Sequence, residues 1–133
     1  MGDAMRLLAW LAVPLLAALA LSGCGDDAAV VPEQDGDGRY VIHLLPDNRF
    51  SPDDARVPEG ATVVWVVDGG HHDVNAEDDT FSSNRGRPLD DRGYPTLLGP
   101  GEEFEHTFNA TGTWRYWCHT HHEMDMMGML RVG

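Results

Sequence analysis

The segment Thr62–Val67 reads TVVWVV, and it constrains the fold more than any other stretch of the chain. Alternation along a strand puts Val63, Trp65 and Val67 on one face and Val64 and Val66 on the other. Both faces are apolar, so such a strand has to be covered on both sides and belongs in the middle of a sheet. Pro58-Glu59-Gly60 leads into it and Asp68-Gly69-Gly70 stops it, both turn sequences. Further β-prone runs occupy Tyr40–Leu45, Ala55–Val57, Glu103–Phe108, Thr113–Cys118 and Met129–Val132, with a short strand expected at His72–Asn75. Pro46-Asp47-Asn48 and Asn109–Gly112 supply turns between them. Short strands at this spacing predict an all-β sandwich. The stretch Ala76–Pro100 is rich in Asp, Gly and Pro and is predicted to be a long irregular loop, of the kind that carries function or is ordered by local packing.

The N-terminal part reads differently. Arg6 precedes Leu7–Leu21, an apolar run of 15 residues. That is short of the roughly 20 residues a spanning helix needs, and it suits the hydrophobic part of a secretion signal. Leu21-Ser22-Gly23-Cys24 resembles the bacterial lipobox, in which small residues permit cleavage and the cysteine thiol accepts lipid. Residues 1–23 are therefore expected to be a lipoprotein signal peptide and Cys24 the lipidated residue. Residues 24–38, mostly Asp, Gly, Ala, Glu, Gln and Pro, are expected to be a flexible linker. Residues 39–133 remain for one folded domain. The expected location is extracytoplasmic, with the lipid in a bacterial or archaeal membrane and the domain in the periplasm or at the cell surface.

The 133-residue chain carries 22 acidic side chains against nine arginines and no lysine, a formal net charge of −13. Such a surface repels phosphate backbones, so nucleic acid is excluded as a partner. It attracts basic proteins and also favours solubility. Glu77, Asp78, Asp79, Asp90 and Asp91 concentrate this charge and read as a solvated acidic loop.

Chemistry is concentrated near the C-terminus, in Trp117-Cys118-His119-Thr120-His121-His122-Glu123-Met124-Asp125-Met126-Met127-Gly128. A thiol, imidazoles and thioethers crowd one loop after a strand. Upstream, His71 and His72 follow the Gly-Gly turn that ends the central strand. Thiolate and thioether together with imidazole select copper, and one Cys, two His and a distant Met match a trigonal site with a long axial bond. On residue type alone His71 competes with His72, His119 and His122 with His121, and Met124 with Met126. Strand alternation separates His71 from His72 by pointing them to opposite sides. His43 and His106 read as ordinary strand histidines, and Trp65, Trp114 and Trp117 as core.

The chain resembles the cupredoxins, the blue copper proteins of the plastocyanin, pseudoazurin, amicyanin and halocyanin group. Phe50-Ser51-Pro52, Val57-Pro58-Glu59-Gly60 and Val63-Val64-Trp65 are similar to the family's second and third strands. Gly70-His71-His72-Asp73-Val74 is similar to its first ligand segment. Phe104–Phe108, then Gly112–Cys118, then Cys118-x-x-His121-x4-Met126-x-Gly128 follow in the family's order. The resemblance spans Arg39–Gly133. It implies a Greek-key β-sandwich, one copper ion held by His72, Cys118, His121 and Met126, and one-electron transfer between redox partner proteins, with a monomeric carrier. Two positions differ from the family pattern. Asp73 stands where Asn usually braces the Cys loop, and Thr120 stands where Pro usually precedes the second His. Thr120 adds a backbone N–H, which would raise the reduction potential if it pointed at the Cys118 sulfur.

Two other classes compete. An oxidase would need imidazoles on both sides of Cys118, but Trp117 precedes it, and a nitrite reductase would need a second copper site. Copper delivery or storage is the alternative that the His- and Met-rich C-terminus keeps open.

Overall fold

A computed structural model describes residues 28–133. Among the described residues, eight strands run β1 (Tyr40–Leu44), β2 (Phe50–Ser51), β3 (Asp54–Val57), β4 (Thr62–Val67), β5 (Asn75–Ala76), β6 (Glu103–Thr107), β7 (Gly112–Trp117) and β8 (Met127–Val132), with one 3-10 turn at His122–Met124. They form two four-stranded sheets, ordered β2-β1-β4-β6 and β3-β8-β7-β5. The chain changes sheet at most connections, so it makes a sandwich and not a meander. The pairs β1–β4 and β3–β8 are parallel, and the remaining ladders are antiparallel.

The central place expected for Thr62–Val67 is where β4 lies, between β1 and β6. Val63, Trp65 and Val67 enter the core between the sheets, and Val64 is fully buried on the other face. Trp65 organises that core. Its ring stacks on Phe81 at 5.2 Å and on Phe104 at 5.6 Å, and meets Tyr116 edge-on at 5.5 Å. Alternation supplies the remaining contacts: Ile42 and Leu44 from β1, Ala55 and Val57 from β3, Leu130 and Val132 from β8. His43 points outward and meets Asp68 at 2.9 Å, as a surface histidine should. His106 turns inward against Phe81 and Phe108, a half-buried wall of the core.

Two local readings change, and the long loop is ordered by local packing, one of the two outcomes expected for it. The strand expected at His72–Asn75 is reduced to β5, Asn75–Ala76, because His72 bridges to Leu98 and leaves the β7 ladder. The long loop is tied down: Arg87 donates to the carbonyls of Thr96 (2.6 Å) and Leu97 (3.0 Å), and Phe81 and Leu98 are buried. Asp90 is half-buried, and its carboxylate caps the Arg92 and Tyr94 N–H groups at 2.9 and 3.0 Å.

The linker also departs from expectation from Val30 onward. Val30 pairs in parallel with Ala55, donating to the Asp54 carbonyl at 2.9 Å and accepting from Arg56 N–H at 2.8 Å. Pro32 is buried, and Gln34 bridges to Tyr40. Arg39 then binds Asp35, Glu103 and Glu105. Residues 30–38 therefore form a strap laid over the sandwich edge, because β3 offers an open edge and Val30-Val31-Pro32 is an apolar segment able to cover it. Cys24 and the apolar run before it lie outside the described residues.

Candidate metal centre

The metal-ligating side chains come from two places that the fold joins. After β4, Gly69-Gly70 turns the chain at the sandwich end. Gly70 has φ of +79°, and a β-carbon there would sit 2.8 Å from His72 Nε2, so glycine is required twice over. His72 follows, fully buried, with Nε2 hydrogen bonded to the Gly69 carbonyl at 2.9 Å. That bond fixes the ring and leaves Nδ1 facing inward.

The second part is the loop between β7 and β8. Cys118 N–H donates to the Met126 carbonyl at 3.0 Å, and the N–H groups of Met124 and Met126 both donate to the His121 carbonyl. Asp125 takes a left-handed φ of 58° and turns the chain into β8. Cys118 and Met126 are fully buried, while His121 is half-buried with one edge toward solvent.

The two parts converge. Cys118 Sγ lies 3.4 Å from His121 Nδ1 and 4.0 Å from His72 Nδ1, and the two nitrogens are 3.3 Å apart. All three ligand atoms fall within 4.8 Å of one another. Metal–nitrogen bonds of about 2.0 Å and a metal–sulfur bond of about 2.3 Å, in a plane, place nitrogens roughly 3.5 Å apart and sulfur roughly 3.7 Å from each. The observed triangle is of that size, so it fits one metal ion without rearrangement. Its thiolate and imidazoles fit copper.

The competing residues go elsewhere. His71 is exposed and lies near Gly99. His119 is exposed and contributes its backbone, and His122 packs edge-on against Trp117 with ring centroids 5.5 Å apart. Met124 is 64% exposed, and its sulfur accepts a hydrogen bond from Asn48 at 3.4 Å. Met126 is buried with Cys118 in the core.

Asp73 turns out to brace the loop as a carboxylate. It is buried; Oδ1 accepts His119 N–H at 2.6 Å and Oδ2 accepts from Asn84 Nδ2 at 2.8 Å. Asn84 in turn reaches Asn75 Oδ1 at 3.2 Å, which also accepts from Ser82 Oγ at 2.6 Å. Asn84 gave no signal in the sequence, since one polar residue in an irregular loop looks like any other. Thr120 does not take the part considered for it. It is exposed, and the polar partners of the Cys118 sulfur are His72 Nδ1 and His121 Nδ1.

Burial shapes the acid–base behaviour. It pushes the Cys118 thiol up to about 11, and it holds the His72 imidazole below its ordinary range, so His72 is neutral at pH 7. Metal uptake by the apo-protein must therefore expel a thiol proton. Apparent copper affinity is expected to rise about tenfold per pH unit between roughly pH 7 and 9, where the thiol is still protonated. Competition titration across that range checks it, and a flat profile would mean that no thiol proton is displaced.

A family model described as copper binding proteins, plastocyanin/azurin family, matches residues 46–133. The chain belongs to that family. Plastocyanin from Scenedesmus fuscus is 33% identical over 85 residues, 62% of this chain and 85% of the relative. Among solved structures, a purple cupredoxin from Nitrosopumilus maritimus matches with a TM-score of 0.56 at 25% identity, over 70% of this chain and 98% of that one. A copper-containing nitrite reductase from Thermus scotoductus matches with a TM-score of 0.50 at 25% identity; it covers 91% of this chain, which spans only 27% of that one. The cupredoxin fold is thus the fold of this chain, copper its metal, and electron transfer its function.

Proposed function

We propose that His72, Cys118, His121 and Met126 hold a single copper ion, and that the protein is a lipid-anchored, extracytoplasmic carrier of one electron at a time. The observation that carries this reading is the His72–Cys118–His121 triangle, closed by side chains from two distant segments, His72 and Cys118 buried and His121 half-buried. Bound copper supplies a Cu(I)/Cu(II) couple. The protein's part is to keep one geometry for both valences. His72 is locked by the Gly69 carbonyl, Cys118 by its bond to Met126, and the whole loop by Asp73. Little can move when the charge changes, so little reorganisation opposes transfer. Met126, buried beside Cys118, is suited to a weak axial contact. The half-exposed His121 ring offers the short path to the surface.

The rest of the reading comes from the sequence. Residues 1–23 act as a lipoprotein signal peptide, Cys24 takes the lipid, and the chain up to Gly38 joins the anchor to the domain. Net charge favours a basic redox partner, such as a cytochrome or a copper enzyme. No enzymatic step is assigned to the site, whose Cys118 and His72 are fully buried. A copper carrier for delivery is the alternative, supported by the exposed His119, His122 and Met124 beside the loop.

Voltammetry of the copper-loaded protein, run beside oxygen and nitrite assays, separates the classes. A reversible one-electron wave with no turnover of either substrate is expected. Sustained consumption of oxygen or nitrite would make it an enzyme, and loss of copper on each reduction would make it a delivery protein.

A further inference from the structure

The connection between β6 and β7 contains Asn109-Ala110-Thr111. Asparagine with threonine two positions on, and no proline between, is the acceptor sequence for N-linked sugar in an exported chain. Of the four asparagines only Asn109 stands in it; Asn48, Asn75 and Asn84 have Phe, Glu and Gly at that position. A three-residue match arises often by chance, so the fold has to decide whether this one is usable.

The fold sets Asn109 apart from the other three. Asn48, Asn75 and Asn84 are half-buried and engaged within the protein. Asn48 Nδ2 donates to the Met124 sulfur at 3.4 Å, Asn75 Oδ1 accepts from Ser82 Oγ at 2.6 Å, and Asn84 Nδ2 donates to Asp73 at 2.8 Å. Asn109, Ala110 and Thr111 are all exposed, and the Asn109 amide and Thr111 hydroxyl bond to no other group among the described residues.

Their backbone is equally free. The β6 ladder ends at Thr107 opposite Thr62, and the β7 ladder begins at Gly112 opposite Val132. Phe108 closes the first by accepting from Gly60 and donating to Ala61. The three residues between belong to neither ladder, because the chain crosses there from one sheet to the other. Phe108 is 2% exposed and pins one end of the crossing. At the other, a β-carbon on Gly133 would lie 3.2 Å from Thr111 Cγ2, so the Thr111 methyl leans on the C-terminal residue. The acceptor is a free arch with fixed ends.

Its place suits the function. β7 runs from this arch to Cys118, and its six residues span about 17 Å. Sugar on Asn109 would stand a strand length from the metal loop and leave it uncovered.

We propose that Asn109 is N-glycosylated by transfer from a lipid-linked oligosaccharide. Asn109 Nδ2 attacks the anomeric carbon of the first sugar. The bond from that carbon to the lipid phosphate breaks, the phosphate leaves with the electron pair, and the amide gives up one proton. Nothing is oxidised or reduced. Thr111 is the recognition residue, read by the transferase through its hydroxyl. The proposal rests on export of the domain, since the acceptor has to meet the transferase outside the cytoplasm.

Mass spectrometry of the full-length protein isolated from its source cell tests it. The peptide holding Asn109 is expected to carry sugar. Asn109→Gln and Thr111→Ala are each expected to remove it completely and Thr111→Ser to keep it, with the visible spectrum of the copper-loaded protein unchanged in all three. Sugar that survives Thr111→Ala would overturn the assignment. The N-terminal peptide from the same digest separates the remaining failures. A bare Asn109 on a chain that begins at Cys24 overturns glycosylation alone. A chain that retains residues 1–23 overturns export, and the proposal with it.

Discussion

Gly128→Ala is expected to destabilise the domain by about 3 kcal/mol or more and to disturb the metal loop with it. A β-carbon on Gly128 would lie 2.3 Å from Cζ and 2.5 Å from the hydroxyl oxygen of Tyr116. Tyr116 is opposite Gly128 in the β7–β8 ladder and is almost completely buried. Its ring cannot retreat, since Phe50 meets it edge-on at 4.8 Å and Trp65 at 5.5 Å. The strain must then go into separating β7 from β8, the two strands that hold the ends of the Cys118–Met126 loop. Denaturant unfolding of the two apo-proteins measures the loss. Tyr116→Leu in the Gly128→Ala background is expected to recover part of it, because the shorter side chain clears the added carbon. A variant as stable as the parent would show that the sheet can open without cost.

The second large effect concerns Asp73. Both of its oxygens accept N–H donors, one from the ligand loop and one from Asn84. A negative charge at this position, close to the Cys118 sulfur, would favour the more positive metal valence. Asp73→Asn is expected to raise the reduction potential by about 100 mV, from roughly 2–3 kcal/mol for a unit charge over several Å at an effective dielectric of about 20. The amide keeps the acceptor for His119 N–H but sets a donor against Asn84 Nδ2. Asp73→Asn with Asn84→Asp restores that pairing and moves the charge one residue outward, so its potential should fall between the other two. Asp73→Ala loses both bonds and leaves buried donors unpaired, at a cost of about 2 kcal/mol or more. Voltammetry of the set reads the potentials, and unfolding reads the stability. A potential unmoved in Asp73→Asn would mean that the charge is screened or absent.

How much of this could be read beforehand depended on how local the cause was. β4 was legible because its burial on both faces is written in six consecutive residues. Cys118, His72 and His121 were legible because few side chains do the chemistry of soft metal binding. Residue type did not separate Met124 from Met126; their burial differs, Met126 lying in the core and Met124 at the surface. That difference, which supports the proposed Met126 ligand, follows from how the 3-10 turn at His122–Met124 closes the loop. Gly128 read only as the last position of the ligand motif, whereas its necessity comes from Tyr116 across the ladder, a register effect invisible along one strand. Asn84 was missed for the same reason: its partner Asp73 is brought to it by the path of the long loop. The strap was misread because Asp and Gly dominate residues 24–38, although Val30-Val31-Pro32 carried an apolar signal inside that polar stretch.

The most direct measurement is a pair of optical and EPR spectra, one from the copper-loaded protein and one from its Cys118→Ser variant. The parent should show an intense visible thiolate-to-copper band and the EPR signal of a single Cu(II) ion, and serine should abolish the band while the fold survives. An equally intense band in the serine variant, or a parent that binds copper without colour, would contradict a copper centre built on Cys118.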